Sequence, residues 1–405
     1  MKRRKFLTAA GLAMGSMLVP IGSNSWVVRQ AHASQRKRLV VVFLRGAVDG
    51  LNVVVPHQAA EYYQARPTIA IPRPKQKNGV LDLDGYFGLH PKLKDLMPFW
   101  NRQQLAFVHA SGSPVVERSH FQAQQYMENG TPGNIKTKDG WMNRLFAQLP
   151  QDQPIQAVNV GVTTPYIFQG DMEIASLKPG VNSAAPLPID RLPVRTAFNQ
   201  LYNGSDPLSK AYQEGSRARD VVLAELNQEM MTASKGAKNV NAFVDDAADV
   251  AKLMVGDTKT QLAFMEIGGW DSHLAQNRLL DRQLPYLGKG LATLASGLEP
   301  ILNDTIIVVM SEFGRTFKEN GNKGTDHGYG NVMWILGGGI KGGNVYRNWL
   351  GLNSSALHQN RDLPVTTDFR DIFMPIAEQH LSIPSDRLQL IFPNYQPLNQ
   401  IDFLA

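Results

Sequence analysis

Four apolar runs in this 405-residue chain are each followed by side chains able to bind cations or move protons. Leu39–Leu44 leads into Arg45-Gly46-Ala47-Val48-Asp49-Gly50, and Leu105–Val108 into His109, with Arg118-Ser119-His120 opening a helical pattern shortly after. Leu262–Ile267 leads into Gly268-Gly269-Trp270-Asp271-Ser272-His273, and Thr305–Met310 into Ser311-Glu312-Phe313-Gly314-Arg315; a later loop carries Thr325-Asp326-His327-Gly328. Carboxylate oxygen and neutral imidazole suit a divalent ion such as Zn, Mn, Mg or Ca. Asp271 and His273 are two apart, so an extended backbone turns both the same way. With His327 they make a three-ligand set that leaves positions open for water or substrate. Asp49 and Glu312 are placed to hold a second ion or to orient the first set. Ser119, at a helix start, would sit among backbone N–H groups that favour an anion. A hydroxyl activated by a metal or by His120, with Arg45 or Arg315 near, is what attack on a phosphate or sulfate ester requires.

These residues need a scaffold that brings strand ends to one edge. The continuous apolar runs at 39–44, 305–310 and 332–336 read as strands buried on both faces, with weaker candidates at 105–108, 155–160 and 262–267. Helical patterns at 91–102, 120–129 and 278–302 alternate with them. The expectation is an α/β fold: a doubly wound, mostly parallel sheet with helices on both faces, its ligands beyond the carboxyl ends of the strands. Residues 190–256 are polar and helical in pattern, for instance at 217–231 and 242–255, and read as a helical insertion in a single domain over 34–405.

Blander explanations exist for several of these groups. Asp49-Gly50 and Asp326-His327-Gly328 contain ordinary turn chemistry. Ser119 could be only a helix N-cap, His120 could merely pack, and Glu312 with Arg315 could form a structural ion pair. Asp368 after Thr366-Thr367 reads as the N-cap of a C-terminal helix. Gly337-Gly338-Gly339 lacks the Lys-Ser/Thr that completes a phosphate-binding loop, and Ser111 and Ser113 lack the elbow glycines of serine esterases.

The stretches FLRGAVDGLN (43–52), RSHFQAQQYMENG (118–130), GGWDSH (268–273), SEFGRT (311–316), TDHGYGNVMWILGGGIKGG (325–343) and TTDFRDIF (366–373) together resemble the domain-of-unknown-function 1501 family. That family consists of twin-arginine-exported proteins related to the alkaline phosphatase and sulfatase superfamily. The resemblance implies an alkaline-phosphatase-like sheet and metal-assisted hydrolysis of phosphate or sulfate esters. Asp49 would be the first-strand metal aspartate, Ser119 would precede its helix as the nucleophile, and Asp271, His273 and His327 would be ligands. Phe313 stands where the superfamily places a histidine, which implies a one-metal or altered site. The sulfatase Cys-x-Pro-x-Arg signature is absent. The expected function is an exported metal-dependent hydrolase acting on an anionic ester. The alternative is a catalytically degenerate relative that binds a glycan or protein.

Composition narrows the field. The chain has no cysteine, which excludes disulfides, thiolate metal sites and a Cys nucleophile. Its net charge is +6, but Lys2, Arg3, Arg4, Lys5 and Arg29 stand in an acid-free stretch at 1–33, so the remainder is close to neutral and offers no nucleic-acid surface. Residues 1–33 have the form of a twin-arginine signal peptide: Arg3-Arg4, an apolar run broken by Gly11, Gly15 and Pro20, and Ala31-His32-Ala33 as a cleavage pattern. The partner implied is the twin-arginine translocase, the destination periplasmic or extracellular, with no stable membrane span after cleavage. Replacing Arg3 and Arg4 by lysine should therefore leave precursor in the cytoplasm on fractionation; unimpaired export would refute this reading.

Overall fold

The computed structural model describes residues 36–405 apart from 151–155, 162, 178–195, 198–199, 205, 207–208, 210–239, 257–259 and 398–400. The proposed signal segment and the 217–231 helix lie outside the described residues.

Alternation along the first strand organises the architecture. All of β1 (Arg38–Leu44) is buried. Val40, Val42 and Leu44 join one apolar cluster, whereas Leu39, Val41 and Phe43 join another. A strand covered on both faces has no use for a polar residue, which is why its sequence reads as an unbroken apolar run. The short strands β2 (Val54–Val55), β3 (Leu81–Asp82) and β4 (Gly88–Leu89) make a separate antiparallel sheet in the order β2-β4-β3. The remaining strands are β5 (Leu105–Gly112), β6 (Ala157–Val160), β7 (Ala175–Leu177), β8 (Leu262–Ile267), β9 (Thr305–Ser311), β10 (Asn331–Gly337), β11 (Asn344–Tyr346) and β12 (Thr367–Asp368). With β1 they form a nine-stranded sheet ordered β11-β5-β10-β9-β1-β8-β6-β7, with β12 also on β5.

The sheet is mixed: every pairing is parallel except those of β10, which runs antiparallel to both β5 and β9. The first apolar layer holds helices α3 (Phe243–Gly256) and α4 (Gln276–Gly297). The second holds α2 (Trp141–Gln148) and α5 (Phe369–Pro375). Helix α1 (His120–Asn129) follows β5 and ends at Gly130, whose φ of 70° suits a glycine stop. As expected, Asp368 caps α5, its side chain accepting from Arg370 N.

Some boundaries differ from expectation, each with a local cause. The helix expected over 91–102 is a 3-10 turn, Pro91–Leu96, followed by a short helix, Met97–Asn101; Leu93 leaves helical geometry and Pro98 restarts it. The helix expected over 278–302 starts at Gln276 and stops at Gly297, with Glu299–Asp304 winding as 3-10 beyond it. Of the expected 190–256 insertion, the helical stretch Phe243–Gly256 packs as part of the first layer.

The parallel triplet β9-β1-β8 delivers the site. Leu44 pairs with both Ser311 and Ile267, so Arg45, Gly268 and Glu312 all leave the same sheet edge together.

Three histidines away from that edge are buried as neutral rings. His109 donates from Nε2 to Val54 O and His380 from Nε2 to Arg38 O, while His90 Nδ1 accepts from Lys92 N. Burial lowers His90 to about 3 and His109 and His380 to about 4, from an ordinary 6.5. Below pH 6.5 the unfolded chain therefore takes up protons that the folded chain refuses, and stability falls with pH until about pH 4. Each such ring contributes about 1.4 kcal/mol per pH unit across that window. Urea unfolding between pH 7 and pH 5 should accordingly show wild type losing stability faster than His109→Gln. Equal slopes would contradict a neutral buried His109.

Candidate metal centre

Backbone proximity comes first. Gly46 has φ +114°, and a Cβ there would lie 2.6 Å from Asp271 N and 2.9 Å from Trp270 N. Only glycine lets the end of β1 press against the segment carrying Asp271. Its N–H donates to Glu312 Oε1 at 2.8 Å, tying β1 to the end of β9. After Arg315 the chain turns back so that Arg315 and His327 face each other across an antiparallel bridge. Gly328 permits this, since a Cβ there would sit 2.4 Å from the Arg315 carbonyl carbon.

Asp271, His273 and His327 converge, and His120, the first residue of α1, completes the group. His327 Nε2 lies 2.9 Å from His120 Nε2 and 2.9 Å from His273 Nε2. Asp271 Oδ1 is 3.1 Å from His273 Nε2 and 3.6 Å from His327 Nε2, and Asp271 Oδ2 is 3.5 Å from His120 Nε2.

The opposite nitrogen of each ring explains why these three face inward. His120 Nδ1 is 2.8 Å from Glu312 Oε1, His273 Nδ1 is 3.2 Å from Asp326 Oδ1, and His327 Nδ1 is 2.7 Å from the Arg118 carbonyl. Ionised carboxylates and carbonyls only accept, so each Nδ1 carries the proton and donates it. In the neutral rings, the Nε2 lone pairs of His120 and His273 each then face that of His327. Asp271 Oδ2 is buried and has no hydrogen-bond partner among the described residues. Lone pairs at 2.9 Å repel unless a proton or a cation lies between them. Ligands 2.0–2.1 Å from a tetrahedral ion stand about 3.3 Å apart, and the ligand atoms of His120, Asp271 and His327 all lie within 4.8 Å of one another. An imidazole held by an outer carboxylate or carbonyl is also the usual support of a metal ligand. The donor set fits a divalent ion.

Electrostatics without an ion follow the same geometry. Burial opposes charge on His120, but the facing carboxylates of Asp271 and Glu312 outweigh it and raise the ring to about 9. Burial dominates at His327 and lowers it. Glu312 is driven down to about 2: burial works against this, and the contact with His120 overcomes it. Asp271 is likewise held well below the carboxylate range by His120, His273 and His327, against its burial.

The other candidate residues fall outside the converging group. Glu312 is an anchor: Oε1 accepts from Gly46 N, His120 Nδ1 and Gln124 Nε2, and Oε2 from Ser311 Oγ. Asp49 is turned elsewhere. Arg66 Nη1 donates to its Oδ2 at 2.5 Å, Arg66 Nη2 to its Oδ1 at 3.2 Å, and Gln276 Nε2 to its Oδ2 at 2.6 Å. The place considered for a second ion is thus filled by an internal guanidinium. Asp49 reaches the site only indirectly: Thr325 Oγ1 donates to Gln276 Oε1, and Arg315 Nε donates to Thr325 Oγ1.

Neither arginine considered for the substrate faces solvent. Arg315 is 1% exposed and donates from Nη1 to Asp271 Oδ1 at 2.6 Å. Arg45 is 2% exposed and clamps Glu128 and Glu266. Ser119 is exposed and caps α1 without a side-chain cap bond; its hydroxyl has no partner among the described residues. Phe313 lies buried with its ring 4.8 Å from that of His120 and 5.1 Å from that of His327, an apolar floor under two imidazoles. His120, which the sequence offers either as an activating base or as a packing residue, stands in the group, and Arg66 and Asp326 are partners that no local motif marks. For His120 a signal existed, since Arg118-Ser119-His120 opens a helix after a buried strand.

A sequence model of the family described as "Protein of unknown function (DUF1501)" matches residues 36–392. No curated protein sequence matches the chain. Among solved structures, a protein in the alkaline phosphatase superfamily from Vibrio parahaemolyticus is similar at 12% identity and TM-score 0.37, covering 77% of this chain and 62% of its own. The lipoteichoic acid synthase LtaP from Listeria monocytogenes is similar at 10% identity and TM-score 0.40, covering 86% and 72%. The PsFucS1 sulfatase from Pseudoalteromonas sp. is similar at 11% and 0.40, covering 87% and 68%.

The Asp49–Arg66 pair is fully interior, and all five N–H groups of Arg66 are used, the others on Asn52 Oδ1, Phe317 O and Thr316 O. Arg66→Met should cost about 3–5 kcal/mol in denaturant unfolding, because the Asp49 carboxylate would stay buried without its cation. Adding Asp49→Asn should restore part of that loss. A double variant weaker than the sum of the singles would count against the pairing.

Proposed function

The chain belongs to the DUF1501 family, and from its ligand geometry we propose that it is a metal-dependent hydrolase of phosphate, sulfate or related esters. The observation that carries this reading is the convergence of His120, Asp271 and His327, whose ligand atoms all lie within 4.8 Å of one another, with His273 Nε2 2.9 Å from His327 Nε2. Three imidazoles with one carboxylate favour zinc, manganese or iron over magnesium or calcium, which take all-oxygen sets. A divalent ion held by His120, Asp271, His273 and His327 supplies Lewis acidity toward an ester oxygen or a water. One ion per chain is expected, because Arg66 saturates Asp49 and Phe313 offers no ligand atom.

The protein's own residues do the rest. Arg315 neutralises the Oδ1 side of Asp271, so its carboxylate is retained at this depth. Glu312, Asp326 and the Arg118 carbonyl hold the three rings in one tautomer and orientation. Phe313 keeps water from beneath the rings. Access is from the side of His273 and His327, each 12% exposed at the side chain, whereas His120 is 5% and Asp271 0%. Export remains part of the proposal; among the described residues no helix is long and apolar enough to cross a membrane.

Metal analysis of the purified protein should find about one divalent ion per chain, lost in His273→Ala and weakened roughly 10- to 100-fold in Glu312→Gln. The loaded wild type should turn over members of a phosphate- and sulfate-ester panel, and His273→Ala should not. Ser119→Ala should keep most activity, since no base contacts its hydroxyl. Stoichiometric metal without turnover on any ester would favour the binding-protein alternative, and absence of metal would defeat the site itself.

A further inference from the structure

Beside the imidazoles, two arginines are gathered on one interior carboxylate. Asp362 has a fully buried side chain. Arg118 Nη2 donates to its Oδ2 at 2.8 Å, and Arg361 Nη1 donates to Oδ2 at 2.9 Å and Oδ1 at 3.1 Å. Both guanidinium groups nonetheless reach solvent, with side chains 37% and 38% exposed. Two cations against one anion leave a net positive charge there. Both residues are also tied to the ligand His327: the Arg118 carbonyl accepts its Nδ1–H, and Arg361 Nη2 donates to its backbone carbonyl at 2.9 Å.

Donors remain over. Arg118 Nε and His358 Nε2 are buried and have no hydrogen-bond partner among the described residues. His358 belongs to the same turn, its N–H donating to Asp362 O at 2.8 Å, and its ring stands 5.0 Å from that of Tyr329. Gln359 accepts from Arg118 Nη2 at 3.2 Å and steadies that guanidinium. Exposed arginines usually sweep a wide volume and lose entropy on binding a ligand. Here both are fixed before any ligand arrives, which lowers that cost. A guanidinium fork matches the oxygens of a tetrahedral anion in a bidentate manner.

We propose that Arg118, Arg361 and His358, braced by Asp362, form an anion subsite beside the metal centre that holds a sulfate or phosphate group of the substrate. This rests on the hydrolase reading for the word substrate, but the binding of the anion does not. It also gives the substrate-charge role to rim residues, because Arg45 and Arg315 are interior and engaged.

Inorganic sulfate and inorganic phosphate, titrated calorimetrically into the full-length protein before and after metal removal by a chelator, test it. Wild type should bind one such anion in both states. Arg118→Gln and Arg361→Gln should each weaken binding about tenfold or more, with thermal melts reported alongside. If a glutamine variant does not fold, Arg361→Lys, which keeps charge but loses the fork, should bind several-fold more weakly than wild type. On any ester turned over, Arg361→Gln should raise KM. Unaltered affinity in the folded arginine variants, or binding that vanishes on chelation alone, would overturn the subsite. Arginine-dependent anion binding in a protein that hydrolyses no ester would keep the subsite and remove the hydrolase reading.

Discussion

Three imidazoles can turn their Nε2 atoms toward one cluster only if each donates its Nδ1–H to something outside it, and this constraint organises the centre. Glu312, Asp326 and the Arg118 carbonyl accept those hydrogen bonds, and they lie at separate positions in the chain. Glu312 is in turn held by four donors, one of them the N–H of Gly46 at the end of the central strand. The orientation of the His120 ring is therefore referred back to the register of β1 against β9. Loosening any link would let a ring rotate, and the lone pairs would no longer share a target.

Charge inside the protein is balanced locally. Asp49 faces Arg66, Asp271 faces Arg315, and Glu128 and Glu266 face Arg45. Such pairs contribute little net stability compared with apolar packing, but removing one partner is severe. Their value here is positional: the arginines are locked among carboxylates near the site and cannot swing toward a ligand. Phe313 acts similarly by shape, because its ring fills the space under His120 and His327 without adding a ligand.

Much of this was legible in the residues. Unbroken apolar runs mark strands covered on both faces, and the polar residues just past them do gather at one edge. Asp271, His273 and His327 were readable as a group for that reason. Less legible was which acidic residue would meet which cation. Asp49 looks like a ligand from its position, but Arg66 lies 17 residues away and nothing local marks it as a partner. Glu312 follows its strand as Asp271 follows β8, yet its neighbours are N–H donors contributed by β1 and α1, visible only after assembly. The antiparallel insertion of β10 was equally hidden, because a strand buried on both faces reads the same in either direction.

The His120–His327 contact spans 207 residues of sequence, and the His273–His327 contact spans 54. An unfolded or half-made chain has no means of presenting these nitrogens together, since closing loops of that length carries a large entropic penalty before any contact forms. A cation held by all of them would bind the native state almost exclusively and draw the folding equilibrium toward it by mass action. It would work as a non-covalent cross-link in a chain that, lacking cysteine, has no covalent one.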